Sequence, residues 1–175
     1  SVYSNKFFNL KQFATWFYHS VDTGNYPKNC SFYDNHIYST DFPVVVGVQQ
    51  NIIDTTIFGN VLHTISNSTN LNINARTQNR LVDVYQTFDN GDSIENVVIR
   101  NNDILYSDGE IFVLTVYKNA VATTSGINNV KVISNNVLNG STTGSLVRIT
   151  GTNPAVDTIT GLDLVNNTGY PAMSE

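Results

Sequence analysis

Cysteine is nearly absent from this chain, and the single Cys30 excludes an intrachain disulfide framework and any cysteine-based metal cluster. As a lone thiol it is expected to act as a small buried apolar residue. Charge is scarce too. Charged residues make up 13% of the 175, and nine Lys plus Arg leave a net charge of −5. A nucleic-acid surface neutralises many phosphates with clustered cations, so no nucleic-acid partner is expected. No apolar run approaches the roughly 20 residues of a membrane-spanning helix. The stretch from Ser1 to Ser20 shows no charged start followed by an apolar run and cleavage site, and no membrane insertion is expected. Sustained helical periodicity is missing as well.

What is present is 41% hydrophobic residues, enough to bury one core. Solubility then falls to uncharged Asn, Thr, Ser and Gly, a balance suited to an extracellular or virion protein.

The chain also repeats itself. Ser1-Val2-Tyr3-Ser4-Asn5-Lys6-Phe7-Phe8 lies over Ser31-Phe32-Tyr33-Asp34-Asn35-His36-Ile37-Tyr38, and Asn96 to Ile104 lies over Asn129 to Val137. Two further copies run from Thr55 to Leu62 and from Leu162 to Asn167. The anchoring asparagines are Asn5, Asn35, Asn60, Asn102, Asn135 and Asn167, separated by 30, 25, 42, 33 and 32 residues. A period near 32 is that of a solenoid turn.

Each copy reads apolar, variable, apolar, two variable, Asn, variable, apolar, which predicts a strand with alternate side chains inward and then a bend. Equivalent residues on neighbouring strands lie about 4.8 Å apart, close enough for one asparagine NH2 to donate to the next amide carbonyl. Asparagine also tolerates the left-handed backbone of a bend. A second strand is expected in each repeat: Phe13 to Tyr18, Phe42 to Val48, Leu71 to Ala75, Ile111 to Tyr117 and Leu146 to Ile149. Leu81 to Tyr85 reads as an extra strand, so an insertion or extra strand is expected within 63–95. In Ile111 to Tyr117 both faces are apolar, which predicts a covering loop or an interface.

With this repeat the chain resembles the pectate-lyase-like superfamily, whose all-β fold is a right-handed parallel β-helix with an asparagine ladder. The resemblance covers nearly all of 1–175 and implies about six coils in one domain. Beginning and ending inside the pattern, the chain reads as a fragment of a longer protein, or one capped by its neighbours. The activity motifs of that superfamily are missing: there is no Trp-Ile-Asp-His, Asn-Thr-Asp, Gly-His-Gly or Asp-Pro-His-Asp, and Arg76 to Arg80 lacks the proline of the lyase arginine motif. In its polar, motif-poor character it is most similar to bacteriophage tailspikes. That likeness implies a homotrimer binding, and in some members depolymerising, a bacterial surface polysaccharide. The alternatives are a secreted polysaccharide lyase or glycoside hydrolase, and a structural shaft or adhesin segment without activity.

Candidate site residues follow from the repeat. The outward column Tyr3, Tyr33, Phe58, Arg100, Ile133 and Val165 begins aromatic, and Tyr3, Tyr33 and Phe58 are candidates for stacking on sugars or for packing against another protomer. Glycoside hydrolysis uses two carboxylates roughly 5 to 10 Å apart, and Asp34, Asp54 and His36 form the best catalytic set, although each also suits a solvated turn. Asp83 near Arg76 and Arg80 suits a salt bridge, with the arginines as lyase alternatives. Asp89 to Glu95 is spaced unlike a calcium loop and reads as a turn. Sequons stand at Asn29, Asn67, Asn139 and Asn166, and His19 and His63 lack ligand-spaced partners. No cofactor or metal is implied.

Overall fold

The computed structural model describes residues 1–8, 14–18, 27–39, 44–49, 52–64, 80–86, 93–106, 112–116, 126–137, 147–151, 158–169 and 173–174. Among them the regular structure is entirely β, with every strand pairing parallel. No helix there is long and apolar enough to cross a membrane.

Three sheets share the strands. The first holds Val2–Tyr3, Lys28–Tyr33, Ile53–Phe58, Ser93–Arg100 and Gly126–Ile133, followed by Thr158–Thr160 and Asp163–Val165. The second holds Lys6–Phe8, His36–Ser39, Val61–Thr64, Asp103–Tyr106 and Asn136–Val137. The third holds Thr15–Tyr18, Val44–Gln49, Arg80–Gln86, Phe112–Val116, Val147–Gly151 and Met173–Ser174. From Val2–Tyr3 to Val147–Gly151 the strands fall to the first, second and third sheet in rotation. Parallel neighbours need a long crossover, and here the other two sheets lie within that crossover.

Two expectations change. The first five repeats each contribute a third strand, directly after the asparagine, where the sequence showed only a resumed apolar position, and after Asn167 a single bridge joins Thr168 to Asn136. Arg80–Gln86, which contains the supposed extra strand Leu81 to Tyr85, pairs with both Val44–Gln49 and Phe112–Val116 and so holds a regular place in the third sheet. Leu71 to Ala75 lies outside the described residues, as do Phe13, Phe42, Ile111, Tyr117 and Leu146.

The core is built from columns one residue wide. Phe32, Ile57, Ile99 and Val132 are register partners in the first sheet, and all are buried. Past the bend, Ile37, Leu62, Ile104 and Val137 form the matching column of the second sheet. Val46 with Val82 and Val48 with Val84 bury the inner side of the third. β-Branched side chains fit such pleated surfaces because their stiff χ1 costs little there.

One inward column carries a flaw. Cys30, Thr55, Val97 and Val130 are partners, and the buried Thr55 hydroxyl has no hydrogen-bond partner. Valine has nearly the same shape without the polar atom. Thr55→Val should therefore raise the unfolding free energy by about 1 kcal/mol, and an unchanged or lowered urea midpoint would count against it.

The six asparagines lie between the first and second sheets. Side-chain Nδ2 donates to the next Oδ1 from Asn5 to Asn35 (3.1 Å), Asn35 to Asn60 (3.1 Å), Asn60 to Asn102 (2.9 Å), Asn102 to Asn135 (2.9 Å) and Asn135 to Asn167 (3.0 Å). Each backbone N–H donates to that same oxygen. The second amide hydrogen has a target in the preceding repeat: Asn60 reaches the Phe32 carbonyl, Asn102 that of Ile57 and Asn135 that of Ile99. One amide thus ties three repeats together.

Candidate functional site

The backbone turns at two columns of left-handed residues, and neither contains the ladder asparagines. The first column is Ser4, Asp34, Gly59, Asn101, Ser134 and Asn166, each one residue before a ladder asparagine. This corrects the expectation that the asparagines themselves adopt the left-handed bend. They are occupied inward, so the preceding small polar residue takes the strained conformation. The second column is Asn29, Asp54, Asn96, Asn129 and Gly161, within or beside the strands of the first sheet.

These columns decide what the carboxylate candidates can do. Asp34 is exposed at the first bend, where its Oδ1 lies 2.6 Å from where a Cβ on Gly59 would stand. The space left by glycine in the next repeat accommodates its carboxylate. His36 is exposed just beyond the ladder, in register with Lys6 and Val61. Asp54 belongs to the second column, where its Oδ1 accepts from Asn96 Nδ2 (2.8 Å). Asn96 Oδ1 accepts in turn from Asn129 (2.6 Å), which makes an exterior polar ladder.

Asp54 therefore aligns with Asn29, five residues before Asp34, which is on the order of 15 Å of extended chain. Asp34 and His36 share a corner, and Asp54 stands apart from it. Among the described residues no group of three His, Cys, Asp or Glu could hold a metal ion.

The outward column has the register read from the sequence: Tyr3 with Tyr33, Tyr33 with Phe58, Phe58 with Arg100, Arg100 with Ile133 and Ile133 with Val165. Ring centroids of Tyr3 and Tyr33 are 4.9 Å apart with planes 8° from parallel. Those of Tyr33 and Phe58 are 4.9 Å apart at 3°. The Arg100 guanidinium then covers the Phe58 ring at 4.8 Å.

This geometry has a chemical consequence. Rings stacked face to face present their edges to solvent, whereas a sugar needs a face for its C–H groups to meet the negative π cloud. Tyr33 has both faces covered by its neighbours, and Phe58 is covered by Tyr33 and Arg100. A second stack, Phe8 on Tyr38 at 5.3 Å, stands on the outside of the second sheet.

Sequence reasoning missed Trp16. It pairs with Gly47 in the third sheet and stays 45% exposed. A Cβ at Gly47 would meet indole Cδ1 at 3.0 Å, Nε1 at 3.2 Å and Cγ at 3.3 Å. An edge-on approach to Cδ1 would leave its two bonded neighbours much farther away, so the indole turns a face toward Gly47. The signal was legible as a glycine 31 positions after the tryptophan, near the repeat period.

The remaining candidates are spread out. Asp83 is in register with Gly47 and Val113 on the third sheet, and Arg80 begins that strand, while Arg76 lies outside the described residues. Glu95 lies in a first-sheet strand, opposite Ile53 and Asn128, and Asp89 to Asp92 are outside the described residues. Of the sequons, Asn29 and Asn166 are left-handed bend residues, and Asn67 and Asn139 lie outside the described residues. His63 is in register with Tyr38, and His19 is outside the described residues. Cys30 is partly buried against the core, and burial pushes its thiol pKa up, which suppresses the nucleophilic thiolate. No family model matches the chain, and no curated protein or solved structure matches it.

Proposed function

We propose that this chain is a segment of a right-handed parallel β-helix that binds a bacterial surface polysaccharide in the manner of a phage tailspike. The observation that carries the reading is the rotation of strands through three parallel sheets, with the asparagine ladder at one corner. Parallel crossovers are right-handed in about 98% of cases, which supplies the hand. Six ladder asparagines correspond to six coils.

The glycan part of the reading is supported by the partly exposed indole of Trp16 on a chain poor in charge. Sugars offer apolar ring faces and hydroxyl edges, and a neutral surface that mixes aromatic rings with Asn, Thr and Ser matches both. Binding is favoured over cleavage because Asp34 and Asp54 occupy separate columns. A second reading, a structural shaft, draws support from the stacked rings, whose faces are turned to one another.

The experiment is an array of purified capsular and O-antigen polysaccharides combined with sedimentation velocity on the same preparation. Binding by a trimer is the expected outcome. A monomer that binds nothing on the array would sink both halves of the reading, and release of reducing ends from a bound polysaccharide would move it to a depolymerase.

A further inference from the structure

We infer that the outer face of the first sheet holds the carboxylate of an acidic sugar, a hexuronate unit of a polysaccharide, between Arg100 and Lys131. This rests on the glycan-binding reading and names the class of saccharide. Val97, Ile99, Val130 and Val132 are buried, so strand alternation turns Val98, Arg100, Lys131 and Ile133 outward. Val98 pairs with Lys131 and Arg100 with Ile133, so the four make a square on adjacent strands. The two cations hold one diagonal, with Cα atoms about 8 Å apart. The half-buried Val98 and Ile133 hold the other.

The Arg100 guanidinium lies over the Phe58 ring, which is itself stacked on Tyr33 and through it on Tyr3. Contact with a ring draws on the π face of a guanidinium and leaves its N–H donors for an anion. Among the described residues neither Arg100 nor Lys131 has a hydrogen-bond or ion-pair partner. Asp163, in register with Lys131, is the adjacent carboxylate on this face. Asp103 lies past the bend on the second sheet, where it accepts from Asn136 Nδ2 (3.4 Å). Lys28, Asp54 and Glu95 stand toward the start of the strands, about 10 Å or more from the pair. Two side chains as long as Arg100 and Lys131, rooted this close, reach one carboxylate together. The chain's net charge of −5 opposes an anion only weakly, because charges beyond about 8 Å are largely screened at physiological salt.

The floor of the square specifies the rest of the occupant. Val98 and Ile133 offer a small apolar patch on which the C–H groups of a sugar ring lie while its carboxylate meets both cations. Free phosphate makes no use of that floor. A nucleic acid asks for a row of cations, and a protein partner for wider apolar area.

The probes are an acidic capsular polysaccharide that the wild-type chain binds on the array and the same polymer with its carboxyls reduced to alcohols. Reduction is expected to weaken binding at least tenfold, and Arg100→Gln and Lys131→Gln about tenfold each. Arg100→Lys should recover only part of the loss, since it restores the charge without the planar fork. Lys28→Gln, on the same face but away from the pair, should leave binding within about twofold. Circular dichroism checks that the variants fold, and the reduced polymer needs no variant. Binding of neutral polymers alone, or undiminished binding after carboxyl reduction, overturns the site and leaves the glycan reading standing. A trimer lost in Arg100→Gln and Lys131→Gln while polysaccharide binding persists overturns it in favour of a contact between chains. If no polysaccharide on the array binds, the glycan reading itself fails and the site falls with it.

Discussion

Asn102→Ala should cost about 4 kcal/mol of unfolding free energy, out of a total that for domains of this size is about 5–15 kcal/mol. The side chain is fully buried and its Oδ1 accepts from both the backbone N–H and the Nδ2 of Asn60. Its own Nδ2 supplies the Ile57 carbonyl and Asn135 Oδ1. Truncation leaves the buried Asn60 N–H without its acceptor, at roughly 1–3 kcal/mol, takes one donor each from the Ile57 carbonyl and Asn135 Oδ1, and adds a small void. Asn5→Ala is the control, because Asn5 is exposed and only its own two donors reach Asn35; its cost should stay under about 1 kcal/mol. Asn102→Asp adds a sign. A carboxyl buried there keeps the acceptor and loses a donor unless protonated, so desolvation raises its folded-state pKa above the unfolded value. The variant should therefore be most stable at low pH and lose that stability as pH rises through the folded pKa. Urea unfolding at several pH values reads all three variants, and equal losses for Asn5 and Asn102 would mean that the ladder adds nothing to packing.

Phe32→Ala should cost about 3–5 kcal/mol, whereas Tyr33→Ala, one residue along the same strand, should cost about 1 kcal/mol. Phe32 is fully buried in the column with Ile57 and its ring lies 6.1 Å from that of Phe7. Removing it opens a cavity that rigid neighbouring strands cannot collapse. Tyr33 faces outward, so its loss forfeits two ring contacts and no core volume. Similar values for the two, measured by denaturant unfolding, would mean that the inward and outward assignment of this strand is wrong.

The asparagines and the first-sheet register were legible because each repeat places its inward residues at fixed offsets from one amide. Tyr3 over Tyr33 over Phe58 followed from that register, and so did the ladder. The second sheet was not legible. Its strands are two to four residues long, as in Asn136–Val137, too short for alternation to be visible. The left-handed column escaped notice because Ser4, Asp34, Asn101 and Ser134 look merely variable, and only Gly59 hints at their backbone. Arg80–Gln86 was misplaced because the 42-residue interval offered two alternating segments for one strand position. The spacing within the carboxylate set was not legible for a geometric reason: Asp34 and Asp54 occupy similar chain settings but bend at different columns. Trp16 was weighed against Phe13 and Phe17 as a pattern, when its partner was a glycine one repeat away.

The amide ladder also has a direction. All six side chains point their carbonyl toward the Asn5 end and their NH2 toward the Asn167 end, so their dipoles, each about 3.5 D as for a peptide unit, add along the stack instead of cancelling. The Asn5 end is electron-rich and the Asn167 end electron-poor. A further repeat could join at Asn5 only as a donor and at Asn167 only as an acceptor. Two copies brought together at their Asn5 ends would set oxygen against oxygen. Besides holding neighbouring repeats together, the row works as an arrow that favours head-to-tail growth and penalises the reverse.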